Sequence, residues 1–181
     1  MNHCDGQVLS VARDPEHSFA KQLQKKITLI EAHGVEADAH SGQYARSRFL
    51  GRMITALPNK RQIHLLPAEL FAELRHCGHA IGPGLLGENI ATVGLKLEHF
   101  PLGTRIFLGA SSIVELTGIR TPCRKIDRFQ SGLKEMLRTD ATGPKYKCGV
   151  LGVVLRGGAV MPGDIARVEL PLAAYSPLPA L

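Results

Sequence analysis

The sequence predicts a mostly β fold with a few helices, an α+β chain whose strands close or partly close into a barrel. Three observations predict it. Short apolar runs with strand-like alternation recur, each bounded by glycine or proline. Only two segments show clear helical spacing. Strands and helices do not alternate regularly, which excludes a parallel doubly wound sheet. The 181 residues read as a single domain, with a core from about residue 6 to 170 and a proline-rich, peripheral tail over 171–181. With 44% apolar and 21% charged residues, such a chain can bury a core without a disulfide or metal staple.

Gln7 to Ala12 alternates and opens the chain as a strand. Asp14-Pro15 suggests a turn or a helix start. Ala20 to Ile30 spaces Leu23, Ile27 and Ile30 as a short amphipathic helix, or as a helix running into a strand. Gly34 to Gly42 reads as a polar loop. Arg61 to Leu66 alternates as a strand. Pro67 then suits a first helical turn, with Leu70, Phe71, Leu74 and Cys77 on one face and Gly78 as the stop. Gly82, Pro83, Gly84 and Gly87 make a turn-rich loop. Ile90 to Val93, Thr104 to Leu108 and Ser112 to Leu116 are strand-like. Phe129, Leu133, Met136 and Leu137 follow at i, i+4, i+7 and i+8 as a second helix. Gly149 to Leu155 is a buried strand by length and branching, Gly157-Gly158 a turn, and Ile165 to Leu170 the last strand.

The 22 Lys+Arg against 16 Asp+Glu leave a net charge of +6, which points to an anionic partner. There is no Trp and only three Tyr and six Phe, which argues against a groove that stacks single-stranded nucleic acid. No stretch is long enough to span a bilayer, and residues 1–21 have no apolar signal-peptide region. The expected location is therefore the cytoplasm, where thiols stay reduced.

Cys4, Cys77, Cys123 and Cys148 form no CxxC pair. Cys123 stands out, because it follows Pro122, opens the second helix and is flanked by Arg120, Arg124 and Lys125. A helix start and three cations all favour a thiolate. The competing reading is a small core residue under the sheet. Cys77 and Cys148 read as core or strand-edge residues, and Cys4 as an exposed one. His76-Cys77-Gly78-His79 has poor ligand spacing and no second pair to complete a zinc site. Asp38 and His40 read either as an acid/base pair or as part of a polar surface loop. From Ala39 to Ala68 there is no acidic residue, yet Arg46, Arg48, Arg52, Lys60 and Arg61 are present. That run is either a phosphate cradle or a solvated face. The motifs GxGxxG, GK[ST], GxSxG and HExxH are absent.

The order of motifs is more specific than any one of them. Gly34-Val35 with Asp38-Ala39-His40 comes first, then Arg61 to Leu66 and Pro83-Gly84-Leu85-Leu86-Gly87-Glu88-Asn89-Ile90. Thr117-Gly118-Ile119-Arg120-Thr121-Pro122-Cys123 follows, and Gly149-Val150-Leu151-Gly152 with Pro162-Gly163-Asp164 completes the series. This succession resembles the MOSC domain, named for the C-terminal domain of molybdenum cofactor sulfurases, over about residues 6 to 170. The loop departs from many relatives in having Ala37 where they have glycine.

The resemblance implies a strand-rich barrel and a molybdenum cofactor (molybdopterin), with Cys123 as metal ligand or sulfur carrier. It implies Asp38 and His40 as further catalytic residues, and Arg61, Glu88 and Asn89 as pocket-lining ones. The phosphate of such a cofactor would suit Arg46, Arg48 and Arg61, or Arg120 and Arg124. Pyridoxal phosphate is not expected, because the domain that binds it in full-length sulfurases is missing here. The activity implied is reduction of N-hydroxylated small molecules with an external electron-donor protein. Two rivals stand beside it. One is a persulfide carrier with a sulfur-donor protein, and the other is a non-catalytic basic module for nucleic acid. A membrane partner is not expected.

Overall fold

The computed structural model describes residues 5–16, 18–46, 53–139 and 143–181, with Arg46 and residues 53–56 described in backbone only. The chain opens with β1 (Asp5–Arg13), β2 (Gln22–Gln24), β3 (Ile27–Ile30) and β4 (Gly34–Val35). Next come β5 (Tyr44–Arg46), β6 (Met53–Pro58), β7 (Ile63–Pro67), helix α1 (Glu69–His76) and β8 (Ile90–Val93). They are followed by β9 (Arg105–Leu108), β10 (Ser112–Ile119), helix α2 (Arg124–Phe129) and helix α3 (Leu133–Met136). The last strands are β11 (Val150–Arg156), β12 (Gly158–Val160) and β13 (Ile165–Glu169).

Alternation along β10 turns Val114 and Leu116 to the buried side and leaves Ile113, Glu115 and Thr117 partly exposed. The same period of two on its neighbours builds the main sheet, in the order β13-β9-β10-β11-β7-β8-β1-β2. Because β1 also pairs β13, with Gly6 opposite Ala166, seven of these strands close into a barrel and only β2 lies outside the ring. Every pairing around the ring is antiparallel except β7 with β8, whose crossover carries α1. Val8, Leu65, Ile90, Ile106, Val114 and Val150 belong to the core cluster that fills the barrel. A second cluster joins Leu66, Phe71, Leu74 and Leu86 to Ile126, Leu133, Leu137 and Cys148, and so packs all three helices on the barrel wall. Three other strands form a small sheet in the order β12-β3-β4, and β5 pairs β6.

Several expectations are corrected. Residues 20–30 contain no helix: β2 and β3 are strands of three and four residues, with Ile27 and Leu29 buried. Pro67 ends a strand, and α1 starts two residues later at Glu69. Cys77 is exposed, because the helix stops at His76 and leaves Cys77 as its C-cap. The second helix is two helices. Gln130 is extended and Gly132 takes the left-handed conformation at φ 79°, which breaks the stripe between Phe129 and Leu133. Phe129 therefore leaves the core and meets Phe19 instead, at a ring separation of 5.0 Å. The tail is peripheral only in part, with residues 172–177 exposed. Leu178 is buried, and Ala180 forms a bridge to Ile119. Cys4 and Arg48 lie outside the described residues. Among the described residues no helix is long and apolar enough to cross a membrane.

Candidate functional site

Cys123 is the N-cap of α2, with extended backbone at φ −94° and ψ 169°, and its carbonyl accepts the Ile126 N–H at 3.2 Å. Its side chain is half-buried against the outer cluster that also holds Cys148. It opens on a cleft of about 750 Å³, well within the range of small-ligand sites. The cations Lys21, Arg61, Arg120, Arg124 and Lys125 line that cleft, together with His40, His64 and Asn89, and among the described residues no carboxylate does so. The five cations come from three separate segments of the chain, around residues 21, 61 and 120–125, so the fold concentrates them.

Asp38 stands immediately behind this wall. Its Oδ2 accepts from Lys21 Nζ at 2.5 Å, Asn89 Nδ2 at 3.0 Å and the Asp14 N–H at 3.3 Å. Its Oδ1 accepts the His40 N–H at 3.0 Å and lies 3.4 Å from His40 Nδ1. Burial alone raises its pKa, but the His40 hydrogen bond and the Lys21 charge outweigh burial and hold the carboxyl below the usual range. Asp38 is therefore a carboxylate that anchors three cleft side chains, Lys21, Asn89 and His40. The turn bearing it contains Ala37 at φ 54°, the left-handed conformation that a glycine would adopt with less strain.

The Gly84 to Asn89 segment supplies both a brace and a wall. Glu88 is buried and does not line the cleft. Its carboxyl accepts the backbone N–H groups of Gly84 and Leu86, and burial raises its pKa to about 7 against those bonds. Asn89 faces the cleft and ties three elements at once. Its amide donates to the Ala12 carbonyl and to Asp38, and its Oδ1 accepts the His64 N–H at 3.1 Å.

Arg120 extends along the cleft floor, where Nη1 donates to the Leu86 carbonyl at 2.8 Å and reaches Cys148 Sγ at 3.4 Å. Burial, followed by the Arg120 charge, pushes the His64 imidazole well below its ordinary pKa, so the ring is neutral at pH 7. His64 Nε2 lies 2.9 Å from the Cys148 carbonyl. Burial also pushes the Cys148 thiol up, which makes it the inert counterpart of Cys123.

Of the residues picked out in the sequence, the cleft brings together Cys123, His40, Arg61, Asn89, Arg120 and Arg124. Asp38 and Glu88 sit behind its surface. Arg46 belongs to β5 by its backbone, beside the lining residues Tyr44 and Ala45. Lys21 and His64 went unremarked in the sequence. Lys21 sits in a segment read as helical, whereas His64 lies in a strand whose alternation was legible but whose cleft-facing position was not. As for a cofactor, a soft thiol in one cleft with five cations fits a phosphate-bearing, sulfur-ligated group. Among the described residues no three His, Cys, Asp or Glu side chains group as ligands for a bare metal ion.

The family model of the MOSC domain matches residues 38–167, which run from the Asp38 turn through Cys123 to β13. The chain belongs to the MOSC domain family. No curated protein sequence matches it. Among solved structures, this MOSC protein is similar to the YuaD protein from Bacillus subtilis, with a TM-score of 0.77, 22% identity, and 94% of this chain and 98% of that one covered. It is also similar to YiiM from Geobacillus stearothermophilus, with a TM-score of 0.68, 20% identity and coverage of 94% and 79%. YiiM from Escherichia coli follows at a TM-score of 0.60, 16% identity and coverage of 94% and 73%. At these identities the likeness shows the fold, and the MOSC-type barrel is the one expected from the sequence.

Proposed function

We propose that this MOSC protein binds a molybdenum cofactor in the cleft at Cys123 and reduces the N–O bond of an N-hydroxylated small molecule. The observation that carries this reading is the pairing of one half-buried thiol with five cations in a cleft that, among the described residues, no carboxylate lines. When bound, the cofactor would supply a metal that exchanges electrons and accepts oxygen. Cys123 would ligate the metal, and Arg61, Arg120 and Arg124 would hold the phosphate through charge-assisted hydrogen bonds. His40, with its Nδ1 held beside Asp38, would carry a proton to the substrate. The reaction balances as R₂N–OH plus two electrons and two protons giving R₂NH and water. The electrons come from an electron-transfer protein, since the chain carries no flavin or ferredoxin motif.

The test is metal analysis of protein purified from a host that makes the cofactor. Stoichiometric molybdenum in the wild type that is lost in Cys123→Ser is the expected result. Labile sulfane sulfur on Cys123 without molybdenum would replace this reading with a persulfide carrier. Salt-dependent nucleic-acid binding that survives Cys123→Ser, with neither molybdenum nor sulfur, would leave only a basic binding module.

A further inference from the structure

Beyond Glu115, β10 runs on after its pairing with β9, over Ser112–Glu115, has stopped. On the other side it stays bound to β11 through Ile119 opposite Val150 and through the Arg120 N–H, which donates to the Gly149 carbonyl at 3.0 Å. The side that β9 leaves open is taken by the end of the described chain. Ile119 donates its N–H to the Pro179 carbonyl at 2.7 Å, and Leu181 donates back to the Ile119 carbonyl at 2.9 Å. The Leu181 carbonyl then accepts twice from Thr121, from the backbone N–H at 3.1 Å and from Oγ1 at 2.8 Å. Upstream, Leu102 donates to the Ser176 carbonyl at 2.8 Å, and Pro177 bridges Pro101. Gly118 makes room for this arrangement. A Cβ there would stand 2.5 Å from the Leu181 side chain and 2.6 Å from the Pro179 carbonyl oxygen.

Thr121 lines the cleft and precedes Cys123 by two residues, with Pro122 between them. Proline donates no hydrogen bond and fixes its own φ, so the pose of Thr121 passes stiffly to Cys123. We infer that residues 177–181 are a positioning strap that fixes Thr121-Pro122-Cys123 and thereby sets how far the cysteine projects into the cleft. The inference is independent of what Cys123 binds. Without the strap, the N–H groups of Ile119 and Thr121 lose their partners, and the cysteine is held only from the β11 side and by α2.

Peptide-resolved pulse alkylation with iodoacetamide tests this in the full chain, in a chain ending at residue 176 and in Gly118→Val. Exposed Cys77 serves as the reference and buried Cys148 reports general opening of the fold. Cys123 should label roughly tenfold faster in both variants while Cys77 and Cys148 keep their rates, as expected of a local opening. Unchanged Cys123 labelling in the folded variants overturns the inference. So does Cys148 rising in step with Cys123, because that shows a general loss of stability. Should both variants fail to fold, Thr121→Val removes only the Oγ1 bond. It should speed Cys123 alone by roughly two- to threefold, and no change there overturns the inference equally.

Discussion

Glu88 is a carboxyl group closed inside its own loop. Water is excluded from it, and two backbone N–H groups are its hydrogen-bond donors. Burial raises its pKa from 4.5 to about 7 in the folded protein. In the unfolded chain the same group ionises near its ordinary value. As pH rises through that interval, the unfolded state gives up its proton first, and stability falls. The contribution present below about pH 4.5 should be lost by about pH 7, an effect of ~3 kcal/mol. Urea denaturation of wild type and Glu88→Gln at intervals across this range checks it. Glutamine has one acceptor for two donors, which shifts its stability by a constant, but the slope attributed to Glu88 should vanish. A stability difference between the two proteins that does not change with pH would assign the slope to other groups. Asp38 behaves in the opposite way, since its partners keep it ionised in the fold. One partner, His40, is two residues away in sequence. The other charged partner, Lys21, is 17 residues away, and nothing around Asp38 in sequence announces it.

At the scale of elements, Gly149 decides how β11 begins. It takes φ +78°, and a Cβ there would lie 2.3 Å from the Leu65 carbonyl oxygen and 2.7 Å from His64 Nε2. Gly163 takes φ +92° with nothing within 4 Å of a Cβ. Gly149→Ala should therefore cost ~3 kcal/mol, combining backbone strain with displacement of β7, while Gly163→Ala should cost only ~1 kcal/mol from the backbone. Denaturant midpoints of the two variants measure the difference, and equal losses would show that the contact with β7 relaxes freely. The elements also show where sequence patterns suffice. β10, β11 and β13 were readable because five or more residues in a row carry the signal of a half- or fully buried strand. β2 and β3 are too short to establish a period, and exposed Leu23 beside buried Ile27 mimicked a helical stripe. The break between α2 and α3 was hidden for a related reason: apolar spacing continues across Gly132, although the backbone there does not.

For the whole molecule, closure of the ring is the governing fact. The Val8 N–H donates to the Asp164 carbonyl at 2.9 Å beside the β1–β13 seam. With the seam closed, the Val8 amide should exchange with solvent deuterium within about tenfold of the Val114 and Val154 amides, all opening with the same unit. Exchange faster by two orders of magnitude or more would mean that the seam opens by itself. The barrel-like fold class was legible from short strands, turns and the lack of alternation. Whether the barrel closes fully was left open, because no local pattern records that Gly6 lies opposite Ala166. The chemistry was legible in part. Pro122-Cys123 and its cations are adjacent in sequence, whereas the contributions of Lys21 and Arg61 to the same cleft depend on how the chain folds.

One consequence follows from where the cleft lies. Its wall is drawn mainly from four short segments, at 18–21, 39–45, 59–61 and 120–125, which include the starts of β5 and α2, and from single residues such as Gly87, Asn89, His64 and Leu151. Among the described residues, none of the core cluster that fills the barrel lines the cleft, so the lining can be changed without touching that core. Such a division makes the protein a favourable starting point for directed evolution. Loop libraries at those four segments alter recognition while the closed ring acts as a fixed chassis.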